Sequence, residues 1–230
     1  MPSLKGVVEH LRTRGVQGTL AAVVQMAAQA RARWLDDAFD RKYGTRTGGI
    51  IDDMDALRVH APNREAAFGY QPIQMDVFAR IWSDLKVHPP DFTFVDFGSG
   101  KGRAVMMAAE RGFAAVHGVE FSPVLHELAV SNCAQFRRKN PAASPIHLAC
   151  ADAAASAIPD GDLVCFFYNP FGETVMRQVL DNLAAACARS PRRLAVAYRN
   201  PSCAALLDGY PFLEREVGNA TYNIYRARAR

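Results

Sequence analysis

The stretch Phe94-Val95-Asp96-Phe97-Gly98-Ser99-Gly100-Lys101-Gly102-Arg103 decides the fold. An apolar run enters three alternating glycines and leaves as a helical pattern. Glycine lets the main chain turn tightly after a buried strand and lets another group come close to the backbone. Such a turn lies at the carboxyl end of the first strand, where open α/β sheets hold their ligands.

Downstream, short apolar runs alternate with helical stretches. Strands are predicted over residues 92–97, 114–120, 146–151, 163–168 and 194–198, and helices over 102–111, 123–138, 173–189 and 204–207. Segments 212–217 and 221–226 read as a hairpin turning at Gly218-Asn219. The alternation predicts an α/β chain: a mostly parallel sheet with helices on both faces and an antiparallel C-terminal hairpin. Upstream, Phe78, Ile81, Trp82 and Leu85 share one face of a helix that Pro89-Pro90 ends. Residues 43–72 are loop-rich, with turn chemistry over Tyr43–Gly49. Residues 3–42 read as helical. One stripe is Leu4, Val7, Val8 and Leu11; another is Leu20, Val23, Val24 and Ala27, continued by Trp34, Leu35 and Ala38. These stripes are expected to pack on the main domain. Residues 1–68 thus form an N-terminal helical cap and loop region, and residues 69–230 the ligand-binding domain.

The 230 residues are 50% hydrophobic and 22% charged, an ordinary globular balance and too apolar for disorder. The net charge of +4 permits an acidic partner without requiring nucleic acid, and Arg12, Arg14, Arg31 and Arg33 read as a solvated face. Five cysteines form no C-x-x-C pair and no zinc spacing, and no histidine pair has i, i+4 spacing. Free, mostly buried thiols in a reducing, cytoplasmic compartment and no metal are expected. No apolar run approaches the roughly 20 residues needed to span a bilayer. Thr19–Ala30 imitates a secretory signal, but Gln25 and Gln29 interrupt it and its spacing is helical.

Two other glycine-rich fingerprints match the turn less well. A phosphate loop needs glycine where Val95 stands and a hydroxyl where Gly102 stands. A dinucleotide fingerprint needs its third glycine at Arg103. What remains is Gly-x-Gly-x-Gly with an acid, Asp96, two positions before it. Over roughly residues 68–200 this pattern resembles the class I S-adenosylmethionine-dependent methyltransferases, whose Rossmann-like sheet agrees with the alternation above.

The resemblance implies a cofactor site of Asp96, Gly98, Ser99, Gly100 and Gly102, with Glu120 as the acid on the next strand. Glu120 stands 22 residues after Gly98, the register at which an acid meets both ribose hydroxyls. In the family an acid after the third strand meets the adenine amino group, so Asp152 and the Ala153 backbone inherit that place. The fourth strand ends Tyr168-Asn169-Pro170-Phe171, similar to the Asn/Asp-Pro-Pro-aromatic motif of amino-group methyltransferases but lacking the second proline. Asn169 is expected both to join the cofactor site at its methyl end and to be the catalytic group, its oxygens accepting hydrogen bonds from an acceptor amine. Tyr70-Gln71-Pro72 is similar to a Tyr-x-Pro near the cofactor in several protein-lysine methyltransferases, which makes Tyr70 a second catalytic candidate and pocket wall. Lys101 and Arg103 open a helix and are either solvated or face the cofactor carboxylate. The implied reaction moves a methyl group from S-adenosyl-L-methionine to a nitrogen or oxygen of a small molecule or protein side chain, with the N-terminal cap over the acceptor. A non-catalytic nucleoside-binding module and a nicotinamide-dependent oxidoreductase remain as alternatives.

Overall fold

The computed structural model describes residues 38–51, 53, 55, 57 and 68–228, together with residues 24, 27 and 34. Seven strands form one sheet in the order β3-β2-β1-β4-β5-β7-β6. The strands are β1 (Phe92–Phe97), β2 (Ala115–Glu120), β3 (Ile146–Cys150), β4 (Asp162–Tyr168), β5 (Leu194–Arg199), β6 (Leu213–Gly218) and β7 (Tyr222–Ala227). The first five run parallel, and β7 is antiparallel to both β5 and β6. The helices are α1 (Met75–Leu85), α2 (Arg103–Ala109), α3 (Pro123–Lys139), α4 (Glu173–Arg189) and α5 (Ala204–Asp208).

Side-chain alternation explains why helices cover both faces. On β1, Phe92 and Phe94 join a core with Phe78 and Ile81 of α1 and Val105 and Met106 of α2. Val95 and Phe97 point the other way, into a core with Val179, Leu180 and Leu183 of α4. β4 divides likewise, with Val164 and Phe166 on the first face and Leu163, Cys165 and Phe167 on the second. A strand buried on both sides reads as a continuous apolar run, which is how β1 and β4 announce themselves in the sequence.

Local chemistry fixes the element ends. Ser122 caps α3 by accepting from the Leu125 N–H at 3.2 Å, Pro123 stands at the first helical position, and Arg137, Arg138 and Lys139 fill the last turn. α2 begins at Arg103 and ends at Ala109, shorter than the predicted 102–111, because Gly102 at φ +84° and Gly112 at φ +80° bracket it. The C-terminal hairpin turns over residues 219–221 rather than at Gly218-Asn219, where the Asn219 side-chain oxygen accepts the N–H groups of Thr221 and Tyr222.

The apolar stripe expected to pack on the domain does not do so where it is described. Residues 24, 27 and 34 are helical, but Val24 and Trp34 are 60% and 62% exposed and Ala27 is exposed as well. Burial begins at Phe39 and Tyr43, whose rings meet each other and, through Tyr43, Phe136 of α3. The remaining expectations for residues 1–37 and 58–67, including a cap over the acceptor, fall outside the described residues. Among the described cysteines Cys133 and Cys165 are buried, Cys187 and Cys203 are half-buried, and Cys150 is exposed, so the thiols are less buried than expected. Among the described residues there is no metal-binding cluster of His, Cys, Asp and Glu, and no helix long and apolar enough to cross a membrane.

Candidate functional site

β1 and β4 are neighbours in the sheet but not in sequence, so the strand order reverses between them. The connections leave in opposite directions there and open a crevice at the carboxyl ends. A cavity of about 960 Å³, counting the space open to solvent at its mouth, occupies that crevice. Its wall brings together Asp96, Gly98, Ser99, Gly100 and Arg103 from around β1, Glu120 and Phe121 after β2, and Asp152 and Ala153 after β3. Tyr168, Pro170 and Phe171 close it after β4, and Phe68 to Ile73 form the near side.

The glycine turn is built as its sequence demands, with Gly98, Gly100 and Gly102 all at positive φ. What approaches the bare main chain, however, is the protein itself. A Cβ at Gly98 would overlap Pro170, and one at Gly100 would overlap the Tyr70 ring. Gly102 lies outside the cavity and serves packing, because a Cβ there would press on Ala129 and Cys133 of α3.

The turn's N–H groups are satisfied internally. Gly98 and Ser99 donate to the Val119 carbonyl at 2.8 and 3.0 Å, and Gly102 donates to the Ser99 carbonyl. Gly100 donates to Glu120 Oε2 at 2.7 Å, and Glu120 Oε1 accepts from Ser122 at 2.8 Å. Burial pushes the Glu120 pKa up, and these N–H groups pull only part of it back. The Phe121 N–H adds to them, and a carboxylate has about four acceptor positions, so about one remains.

Asp96 is 3% exposed, and its carboxyl makes no hydrogen bond among the described residues. Burial, and then the neighbouring Glu120 carboxylate, raise its pKa well above the usual carboxylate range. Asp152 accepts from the Ala154 N–H at 2.9 Å, so the residue caps its turn and lines the cavity at once.

Tyr70 forms the expected wall. Its hydroxyl donates to the Thr47 carbonyl at 2.6 Å, and its ring lies against Gly100. Asn169 departs from expectation: it does not line the cavity. Its Oδ1 accepts from the Tyr198 hydroxyl at 3.1 Å and from Ser202, which leaves that oxygen committed to the β5 end. At φ +40° its backbone is left-handed, a conformation that asparagine tolerates better than most residues.

Lys101 and Arg103 are neither solvated nor aimed at a ligand carboxylate alone. Lys101 is 7% exposed, donates to the Gly48 carbonyl at 2.7 Å, and stands 4.6 Å from the Tyr70 ring centre. Arg103 is 2% exposed, with Nε donating to Thr47 Oγ1 at 2.7 Å. The segment that receives them, residues 40–49, reads from sequence only as turn chemistry. Its one legible sign is the pair Thr45 and Thr47 following Asp40, hydroxyls within reach of a carboxylate.

No family model and no curated protein matches this sequence. Solved structures do resemble it. An RNA methyltransferase from Salinibacter ruber with S-adenosyl-L-homocysteine is 21% identical over 68% of this chain and 92% of its own, with a TM-score of 0.49. A TehB-like SAM-dependent methyltransferase from Corynebacterium glutamicum is 15% identical over 66% and 88%, with a TM-score of 0.45. The magnesium protoporphyrin IX methyltransferase of Synechocystis with bound SAM is 15% identical over 67% and 77%, also at 0.45. All three are methyltransferases.

Proposed function

We propose that this chain is an S-adenosylmethionine-dependent methyltransferase acting on a nitrogen or oxygen of a small molecule or protein side chain. The observation that carries the reading is the chemistry of one cavity. Three carboxyl groups, Asp96, Glu120 and Asp152, stand around it with the rings of Tyr70, Phe121, Phe166, Tyr168 and Phe171. Such a site favours a ligand that is cationic, carries hydroxyls and has a flat apolar part. S-adenosylmethionine has a sulfonium and an ammonium, a ribose and a purine.

The same chemistry disfavours a dinucleotide. A pyrophosphate needs free N–H donors, and those of Gly98, Ser99, Gly100 and Gly102 are taken. It would also meet three carboxyl groups. A module that binds a nucleoside without catalysis has the same first requirement as the enzyme, and the two part only at transfer.

Glu120 would hold the ribose with the acceptor capacity it has left, and Asp152 and the Ala153 backbone the purine edge. Asp96 would face the positive end, where an unpartnered buried carboxyl gains most from a cation. Arg103 lines the cavity and would meet the cofactor carboxylate while keeping its Thr47 bond. When bound, the cofactor supplies an electrophilic methyl group. The chain then has to aim an acceptor lone pair and exclude water, and orientation alone is worth roughly 7–11 kcal/mol. Tyr168, Pro170 and Phe171 are the wall an acceptor would lie against. Asn169 supports that wall from behind through Tyr198 and Ser202 instead of touching the acceptor with its side chain.

Calorimetry with S-adenosylmethionine tests the reading directly, and Glu120→Gln tests the site. The amide turns a donor toward the Gly100 or Ser122 N–H, and affinity should fall about tenfold or more. Equal affinity would remove Glu120 from the site. Transfer of label from methyl-labelled cofactor to any component of a cell extract separates the enzyme from a binding module.

A further inference from the structure

Asp40 lies 60 residues before Gly100 of the glycine turn, yet it holds together the segment on which two cavity walls rest. Oδ1 accepts from the hydroxyls of Thr45 and Thr47, each at 2.7 Å. Oδ2 accepts from the N–H groups of Thr47 and Gly48, both at 2.9 Å. The chain 45–48 is thereby wrapped around one carboxylate. Thr47 is fully buried, and it passes the constraint on in two directions. Its carbonyl takes the Tyr70 hydroxyl, and its Oγ1 takes Arg103 Nε. Gly48 adds a third link by receiving Lys101 Nζ, which sits over the Tyr70 ring.

We propose that Asp40 is a positioning residue for the amino-acid end of the cofactor, acting through the Thr45–Gly48 clasp and its 3.8 Å ion pair with Arg103 to hold Tyr70 against Gly100 and Arg103 in the cavity wall. The inference rests on the reading of the cavity as an S-adenosylmethionine site and names a device within it. Tyr70 rests against Gly100 and Arg103 opens the helix after the glycine turn, whereas Asp152 and Ala153, which the reading above gives to the purine, follow β3, two strands across the sheet. Loosening the clasp should therefore weaken one end of the ligand and spare the other.

Two ligands that differ at that end read the difference. S-adenosylhomocysteine carries the amino acid, and 5′-methylthioadenosine ends at the sulfur with a methyl group. In Asp40→Asn one oxygen becomes an NH2 that accepts from none of the groups the carboxylate now takes, and the charge facing Arg103 is lost. In Asp40→Asn, S-adenosylhomocysteine should bind about tenfold more weakly than in wild type, and 5′-methylthioadenosine within about twofold. Thr47→Val keeps the shape and backbone while removing the hydroxyl from Asp40 and Arg103, and should show the same split even if Asp40→Asn does not fold.

A merely structural role would weaken both ligands together or neither, and either result overturns the proposal. Wild-type protein that binds neither ligand overturns the cofactor reading itself and this inference with it. Wild-type binding with no split in the variants overturns the inference alone.

Discussion

Gly100 is held at φ +53°, and a side chain there would have to enter the Tyr70 ring. Gly100→Asp should abolish binding of S-adenosylmethionine in calorimetry, because Tyr70 must leave the wall and a fourth carboxylate joins the cavity. Retained affinity would mean that the ligand does not lie at this turn. Asp96 makes a pH-dependent prediction. Its pKa is raised in the folded chain, so its contribution to stability is complete below the ordinary carboxylate range and is lost as pH rises through the raised value. A cation bound beside it lowers that pKa again, and the carboxyl then releases a proton. Between the ordinary and the raised pKa, binding heats should depend on the ionisation enthalpy of the buffer, and Asp96→Asn should remove the dependence. These single residues were legible to different degrees. Glu120 follows from its register with Gly98, but Asp96 without a hydrogen-bond partner among the described residues is a fact of packing that no spacing carries.

The turn after β4 is an element whose order comes from its neighbour. Asn169 links it to Tyr198 and Ser202 at the end of β5, while Pro170 rests against Gly98 at the end of β1. Three strand ends are thus tied into one rim. Asn169→Ala should cost about 1–3 kcal/mol in denaturant unfolding, from a left-handed residue without its compensation and a lost hydrogen-bonded pair. Asn169→Gly relieves the first term, so it should be the less damaging change, and a reversal of that order would place the constraint elsewhere. Strands β1 and β4 and helices α3 and α4 were readable because burial on two faces and helical spacing leave their mark in local sequence. The clasp of residues 40–48 was not, because Lys101 and Arg103 stand more than 50 residues away and look like ordinary solvated cations until the chain folds back.

At the scale of the molecule, two cores on opposite faces share the middle strands. Phe94 is 1% exposed, with ring centres of Phe113, Phe166 and Phe78 at 5.2, 6.0 and 6.4 Å. Phe94→Ala should destabilise the chain by about 3–5 kcal/mol in denaturant unfolding, without direct contact with the cavity. A loss below about 1 kcal/mol would mean that the aromatic cluster repacks freely. The sheet order has one more effect, on synthesis. β1 pairs with β2, which follows closely, and also with β4, in a register that sets Phe92 beside Asp162 and Phe97 beside Phe167. While a ribosome is still extending the chain between those points, the central strand presents one naked, strongly apolar edge to its surroundings. The nascent polypeptide therefore passes through an aggregation-prone interval some 70 residues long, which closes only when β4 emerges and covers it.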